Sequence, residues 1–126
     1  MDPSEIQIPR PELPNSGAGI ASVVIGLITL FLGAVVYSVW SIAISFAFSR
    51  QMMSATGASF SAMVEYSFLV HMAVEGVASV IGTVAAIVGL AQSGRRKDLA
   101  YVGLALNVIL VLSVFGSFGR QYVLGF

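Results

Sequence analysis

The sequence predicts an all-α integral membrane bundle of three transmembrane helices, the first two long and forming a projecting hairpin. Apolar residues make up 57% of the 126-residue chain and charged residues 10%, against about a quarter charged in an ordinary soluble domain. Six Lys/Arg and six Asp/Glu cannot supply the polar coat that water demands, so lipid is the expected solvent. Three stretches each provide the roughly 20 apolar residues that cross about 30 Å of hydrocarbon at 1.5 Å per residue.

The segment "MDPSEIQIPRPELPNSG" is polar, acidic and proline-bearing, the opposite of the basic start of a cleavable signal peptide. Residues 1–16 are therefore expected to form a cytoplasmic polar tail, and residues 17–126 a three-helix transmembrane domain. The first apolar run is read as a retained span.

The first span is expected over about 17–49, a stretch with no charged residue. Unbroken, it is roughly 50 Å long. Residues 41–49 also alternate Ser/Ala with Ile/Phe, which suits a strand. Helix is expected nevertheless, because no Gly or Pro interrupts the chain between Ala34 and Arg50. Ser38, Ser41, Ser45 and Ser49 then share one stripe. The second span is expected over about 59–92, with Gly57 in "SATGAS" as the turn before it. The third is expected over about 98–119.

Between the second and third spans, "QSGRRKDL" holds Arg95, Arg96 and Lys97. Cations beside span ends favour the cytoplasmic side, so this cluster is expected to anchor there. Three spans then put the tail inside and the C-terminus outside, in the cytoplasmic (inner) membrane. About 20 residues from the inner edge, the first helix reaches Tyr37 and Trp40, rings suited to an interface. The second reaches Glu75 and the third reaches Arg120 and Tyr122. Residues 41–73 then exceed the hydrocarbon while keeping Ile42, Ile44, Met63 and Phe68. Apolar surface of that kind outside lipid marks a contact with a partner or a second copy; lying along the interface is the alternative.

Close helix approach in lipid depends on small residues. The second helix carries Ala78, Gly82, Ala85 and Gly89, spaced four, three and four. The first offers Ser22, Gly26 and Gly33, and the third Gly103 and Asn107. These are the expected helix-packing positions. The Asn107 amide needs a hydrogen-bond partner, because an unpaired polar group in hydrocarbon costs several kcal/mol. Ser22 and Thr83 are the candidates. "GIASVVIG" at 19–26 and "GVASVIG" at 76–82 also echo each other, as the halves of an inverted repeat would.

Few residues can carry chemistry. His71 is the single histidine, and Glu75, four residues on, is one of two carboxylates between Gly17 and Asp98. On a helix the two share a face. The depth count puts them at the outer boundary, with Arg50 and Glu65 as further interfacial polar groups. The expected pairing is of His71 and Glu75 with each other or with Arg50. Glu65 is ten residues before Glu75, about 15 Å along the helix, so one ion cannot touch both and no metal site is expected. The chain contains no cysteine, and a net charge of zero offers no basic patch for nucleic acid. No serine elbow, phosphate loop or Walker pattern is present.

The tail leading into "SGAGIASVVIGLITLFLG", followed by "IVGLAQSGRRKDLAYVGLALNVI", resembles small bacterial membrane domains of unknown function. In those, a Pro-bearing cytoplasmic tail joins a few short hydrophobic helices. The resemblance covers residues 14–33 and 86–110, brings no catalytic residues, and implies a small inner-membrane protein. The long hairpin with Arg50, Glu65, His71 and Glu75 departs from it.

The expected function is non-enzymatic: an accessory or scaffolding subunit that packs against larger membrane proteins or itself. The alternatives are an oligomeric small transporter or channel component using Glu75 and His71, or a haem- or pigment-holding subunit with His71 as ligand. No cofactor is required by the first two readings. The lipid bilayer is the partner common to all three.

Overall fold

The computed structural model describes residues 12–49 and 55–119. Among them are three α-helices: α1 (Gly17–Ser49), α2 (Ala55–Ala91) and α3 (Asp98–Phe118). Each is long and apolar enough to cross a membrane. α1 runs helical through residues 41–49, where alternation also suited a strand. α2 starts earlier than expected and passes through Gly57, the anticipated turn. A lone glycine costs a helix only about 1 kcal/mol, and Thr56 and Ala58 flank it. Arg50, Arg120 and Tyr122 lie outside the described residues.

The core is inverted relative to a water-soluble protein. The largest fully buried side chains are Asn107, Ser16, Ser22 and Ser79. Leu, Ile, Val and Phe cover the outside instead, Phe31, Val84, Ile109 and Leu112 among them. In lipid, burying leucine gains nothing, whereas small residues let backbones approach.

The inward residues follow a strict rhythm. On α1 they are Gly19, Ser22, Gly26 and Thr29, continued by the half-buried Gly33, Val36 and Trp40. On α2 they are Met72, Glu75, Ser79, Gly82, Ala86 and Gly89, of which Glu75 is half-buried. On α3 they are Ala100, Gly103, Asn107 and Leu110. All three alternate steps of three and four. That is a 3.5-residue period, the one that keeps a seam facing its partner in left-handed supercoils. The α1–α2 register repeats every seven residues: Gly19 lies against Gly89, Gly33 against Glu75, and Trp40 against Phe68.

One end of the bundle is clamped. Ser16 caps α1, its Oγ accepting from the Gly19 N–H at 2.8 Å, as N-cap serines do. The preceding strand-like residues pair with the α2–α3 loop: Arg96 N donates to the Pro14 carbonyl at 3.1 Å, and Ser16 N to the Arg96 carbonyl at 3.3 Å. Gly94 turns that loop with φ +68°, a left-handed conformation favoured by glycine. Residues 12–16 and the Arg95–Lys97 cluster thus share one end.

Candidate functional site

Two polar constructions stand out against the apolar background. The first lies mid-bundle. Asn107 Nδ2 donates to the Ser22 carbonyl at 3.0 Å and to its own-helix Gly103 carbonyl at 2.7 Å. Ser22 Oγ lies 3.2 Å from the same nitrogen. That hydroxyl in turn donates to the Gly82 carbonyl at 2.8 Å. A chain of hydrogen bonds therefore runs from α3 through α1 to α2. Asn107 Oδ1 has no N–H or O–H partner among the described residues. A Cβ at Gly82 would collide with it, so the glycine α-hydrogen faces this oxygen, the weak C–H···O arrangement found between close helices. Gly103 leaves room for Ser22 in the same way. This is a fastening between helices rather than an open site.

Of the expected packing residues, Ser22, Gly26, Gly82, Gly89, Gly103 and Asn107 are buried on the seam, and Gly33 is half-buried. Ala78 and Ala85 are only half-buried; Ser79 and Ala86, one residue further on, occupy the seam. Either pair alternates with Gly82 and Gly89 in steps of three and four, and only the side of α2 turned towards the other two helices distinguishes them. Asn107 takes Ser22 as partner, while Thr83 Oγ1 donates to the Ser79 carbonyl at 2.9 Å. In the internal echo, Ser22 and Ser79 occupy matching positions and both are fully buried.

The second construction lies towards the far end. His71 Nε2 sits 3.5 Å from Glu75 Oε2, with both side chains about four-fifths buried (20% and 18% exposed). The i, i+4 spacing on α2 sets this contact. A Cβ on Gly33 would approach Glu75 Oε1 to 3.2 Å, so the glycine gives the carboxyl its place against α1. The pair borders a cleft of about 580 Å³ between the three helices, with Trp40, Phe68, Leu110 and Val114 in its walls. The Trp40 indole is held by a 3.2 Å hydrogen bond to Ser67 Oγ and packs on Phe68 with ring centroids 5.5 Å apart. The sequence pointed to the pair but not to this cleft or to Ser16. The available signals were the seven-residue step from Gly33 to Trp40 and a serine immediately before the first apolar run.

The remaining expected polar residues lie elsewhere. Glu65 is exposed and outside the cleft lining. Arg95 and Lys97 are exposed in the α2–α3 loop. Arg96 pairs with Asp98 at 2.8 Å and with Glu12 at 3.3 Å. Ser38, Ser41 and Ser45 donate to carbonyls four residues back, so that stripe satisfies itself within α1. Among the described residues no group of three His, Cys, Asp or Glu is arranged to hold a metal ion.

No family model, no curated protein and no solved structure matches this chain.

Proposed function

We propose that this is a small integral protein of the cytoplasmic (inner) membrane and that it works without catalysis, as an accessory or scaffolding subunit. Its tail and the Arg95–Lys97 cluster lie on the cytoplasmic side, and the end of α3 lies on the outer side. It packs against a larger membrane protein or a second copy of itself.

The unequal length of the helices carries this reading. α3 has 21 residues, about 31 Å at 1.5 Å per residue, which matches the hydrocarbon thickness. α1 and α2 have 33 and 37 residues from the same end. Their surplus stays apolar: Val39, Ile42, Met63 and Tyr66 are each at least 58% exposed. Lipid tails cover the outer faces of the first thirty ångströms, but not this part. A partner surface does.

Photo-crosslinking amino acids at Ile42 and Met63, in native membranes, should give discrete protein adducts that are absent for Val84 and Ile109. Mild extraction and mass measurement should give a particle heavier than one copy. A monodisperse single copy with no adduct at either position contradicts the reading. The absence of cysteine makes sidedness direct to map: single cysteines at Lys97 and Ser117 should label from opposite faces.

A further inference from the structure

The cleft beside Glu75 has no part in the assembly reading, and its chemistry points to a ligand. We propose that it binds a lipophilic organic cation, with the positive group against Glu75 and the apolar body against Trp40, Phe68, Leu110 and Val114.

The argument starts from charge. Glu75 is four-fifths buried, and its ion-pair partner among the described residues is His71. Among the described residues, no Lys or Arg contributes to the cleft lining. Whenever His71 is neutral, the carboxylate faces the cleft with no counter-charge among the described residues. A buried carboxylate in that position attracts a cation and repels an anion. Zwitterionic phospholipid headgroups fit poorly, since the described lining residues provide no fixed cation for the phosphate.

The walls specify what carries the charge. Most of them are apolar or aromatic. Trp40 is held by Ser67 and tilted against Phe68, and indole faces attract cations more strongly than other rings. A strongly hydrated metal ion would lose its water here for one carboxylate and one imidazole. A quaternary or tertiary cation surrounded by hydrocarbon loses far less. The volume of about 580 Å³ lies in the range of ligand pockets, about 300–1,000 Å³. Gly33 leaves room for the Glu75 carboxyl at the wall of the cleft, and α3 ends near this level, where Ser117 is among the lining residues.

Trp40 is the one tryptophan of the chain, so its emission reports on this cleft alone. The full chain in maltoside micelles would be titrated with tetraphenylphosphonium and, separately, with tetraphenylborate, which has the same shape and the opposite charge. A saturable change with the cation and only linear drift with the anion is expected. Glu75→Gln should weaken cation binding by about tenfold or more, the usual loss when one partner of a desolvated charge pair is removed. Ala34→Phe, which fills the cleft from an exposed lining position and keeps both ionisable groups, should also weaken it. Added phosphatidylcholine should not compete. Equal responses to the two ions, unchanged affinity in Glu75→Gln or Ala34→Phe, or competition by phosphatidylcholine would each overturn the proposal. None of these outcomes bears on the crosslinks at Ile42 and Met63, so the two ideas fail separately.

Discussion

The two halves of this bundle follow one seven-residue register and pack in opposite ways. Near the clamped end the seam consists of Gly19, Ser22 and Gly26 against Ala86, Gly89, Ala100 and Gly103. Backbones there meet directly: a Cβ on Gly89 would lie 2.8 Å from the Gly19 nitrogen, and one on Gly19 2.9 Å from the Ala100 nitrogen. Beyond Thr29 the same positions hold Val36, Trp40, Glu75, Met72 and Phe68. These side chains separate the helices and leave a cleft. Seam volume, together with the end of α3, therefore decides where the bundle is a fastening and where it is a container. The dry, hydrogen-bonded half fixes the geometry, and the open half holds the ionisable pair.

That contrast predicts a steep gradient of tolerance. Gly89→Leu should abolish the folded bundle, because a Cβ there meets the capping Ser16 Oγ, the Gly19 backbone nitrogen and the Ala100 Cβ, none of which is the end of a long flexible side chain. Aggregation on gel filtration and loss of protease resistance would report this. The same glycine-to-leucine change at Gly76, where a Cβ meets only Val114 Cγ1 at 3.5 Å, should still give a monodisperse protein.

Asn107→Leu should come next, at about 1–2 kcal/mol. Interhelical hydrogen bonds in lipid are worth about that much or less, and this change cuts the α3–α1–α2 chain while keeping the same branched heavy-atom skeleton. A titration with dodecyl sulfate, followed by Trp40 emission, would measure it. Gly26→Ala should cost about 1 kcal/mol, since the obstacle at 2.6 Å is the end of the Leu106 side chain and overpacking of that kind relaxes in part. Arg96→Ala should fall within about 0.5 kcal/mol. Its ion pairs are half-exposed or more, and exposed pairs contribute little; the backbone bridge to Pro14 and Ser16 does not need the side chain.

The container half was the harder half to read in the sequence. Charge-free runs of about 20 residues or more announce three helices, and small residues at Ser22, Gly26, Gly82, Gly89 and Gly103 announce close approach. Asn107 announces a partner, because a buried amide must find one. A cleft has no such marker. It arises from what neighbouring helices fail to fill, and Leu110 or Val114 looks the same in the sequence whether packed or lining a void. The end of α3 near the level of His71 matters as much as any residue in the lining. Gly57 misled for a related reason: glycine signals a turn only where the flanking chain also prefers one, and a long apolar helix absorbs it. The phase of the α2 seam was ambiguous by one residue between Ala78/Ala85 and Ser79/Ala86, because all four are small.

The claim on which the rest depends is that backbone-to-backbone contact at the clamped end holds the bundle, and it is tested most directly by one paired measurement. Gly89→Ala and Gly76→Ala make the same chemical change on the same helix. Unfolding free energies in mixed micelles should move in opposite directions. Gly89→Ala should lose about 2 kcal/mol or more by overpacking, and Gly76→Ala should gain up to about 1 kcal/mol from the helix preference of alanine. Equal shifts, or a larger loss at Gly76, would contradict the account.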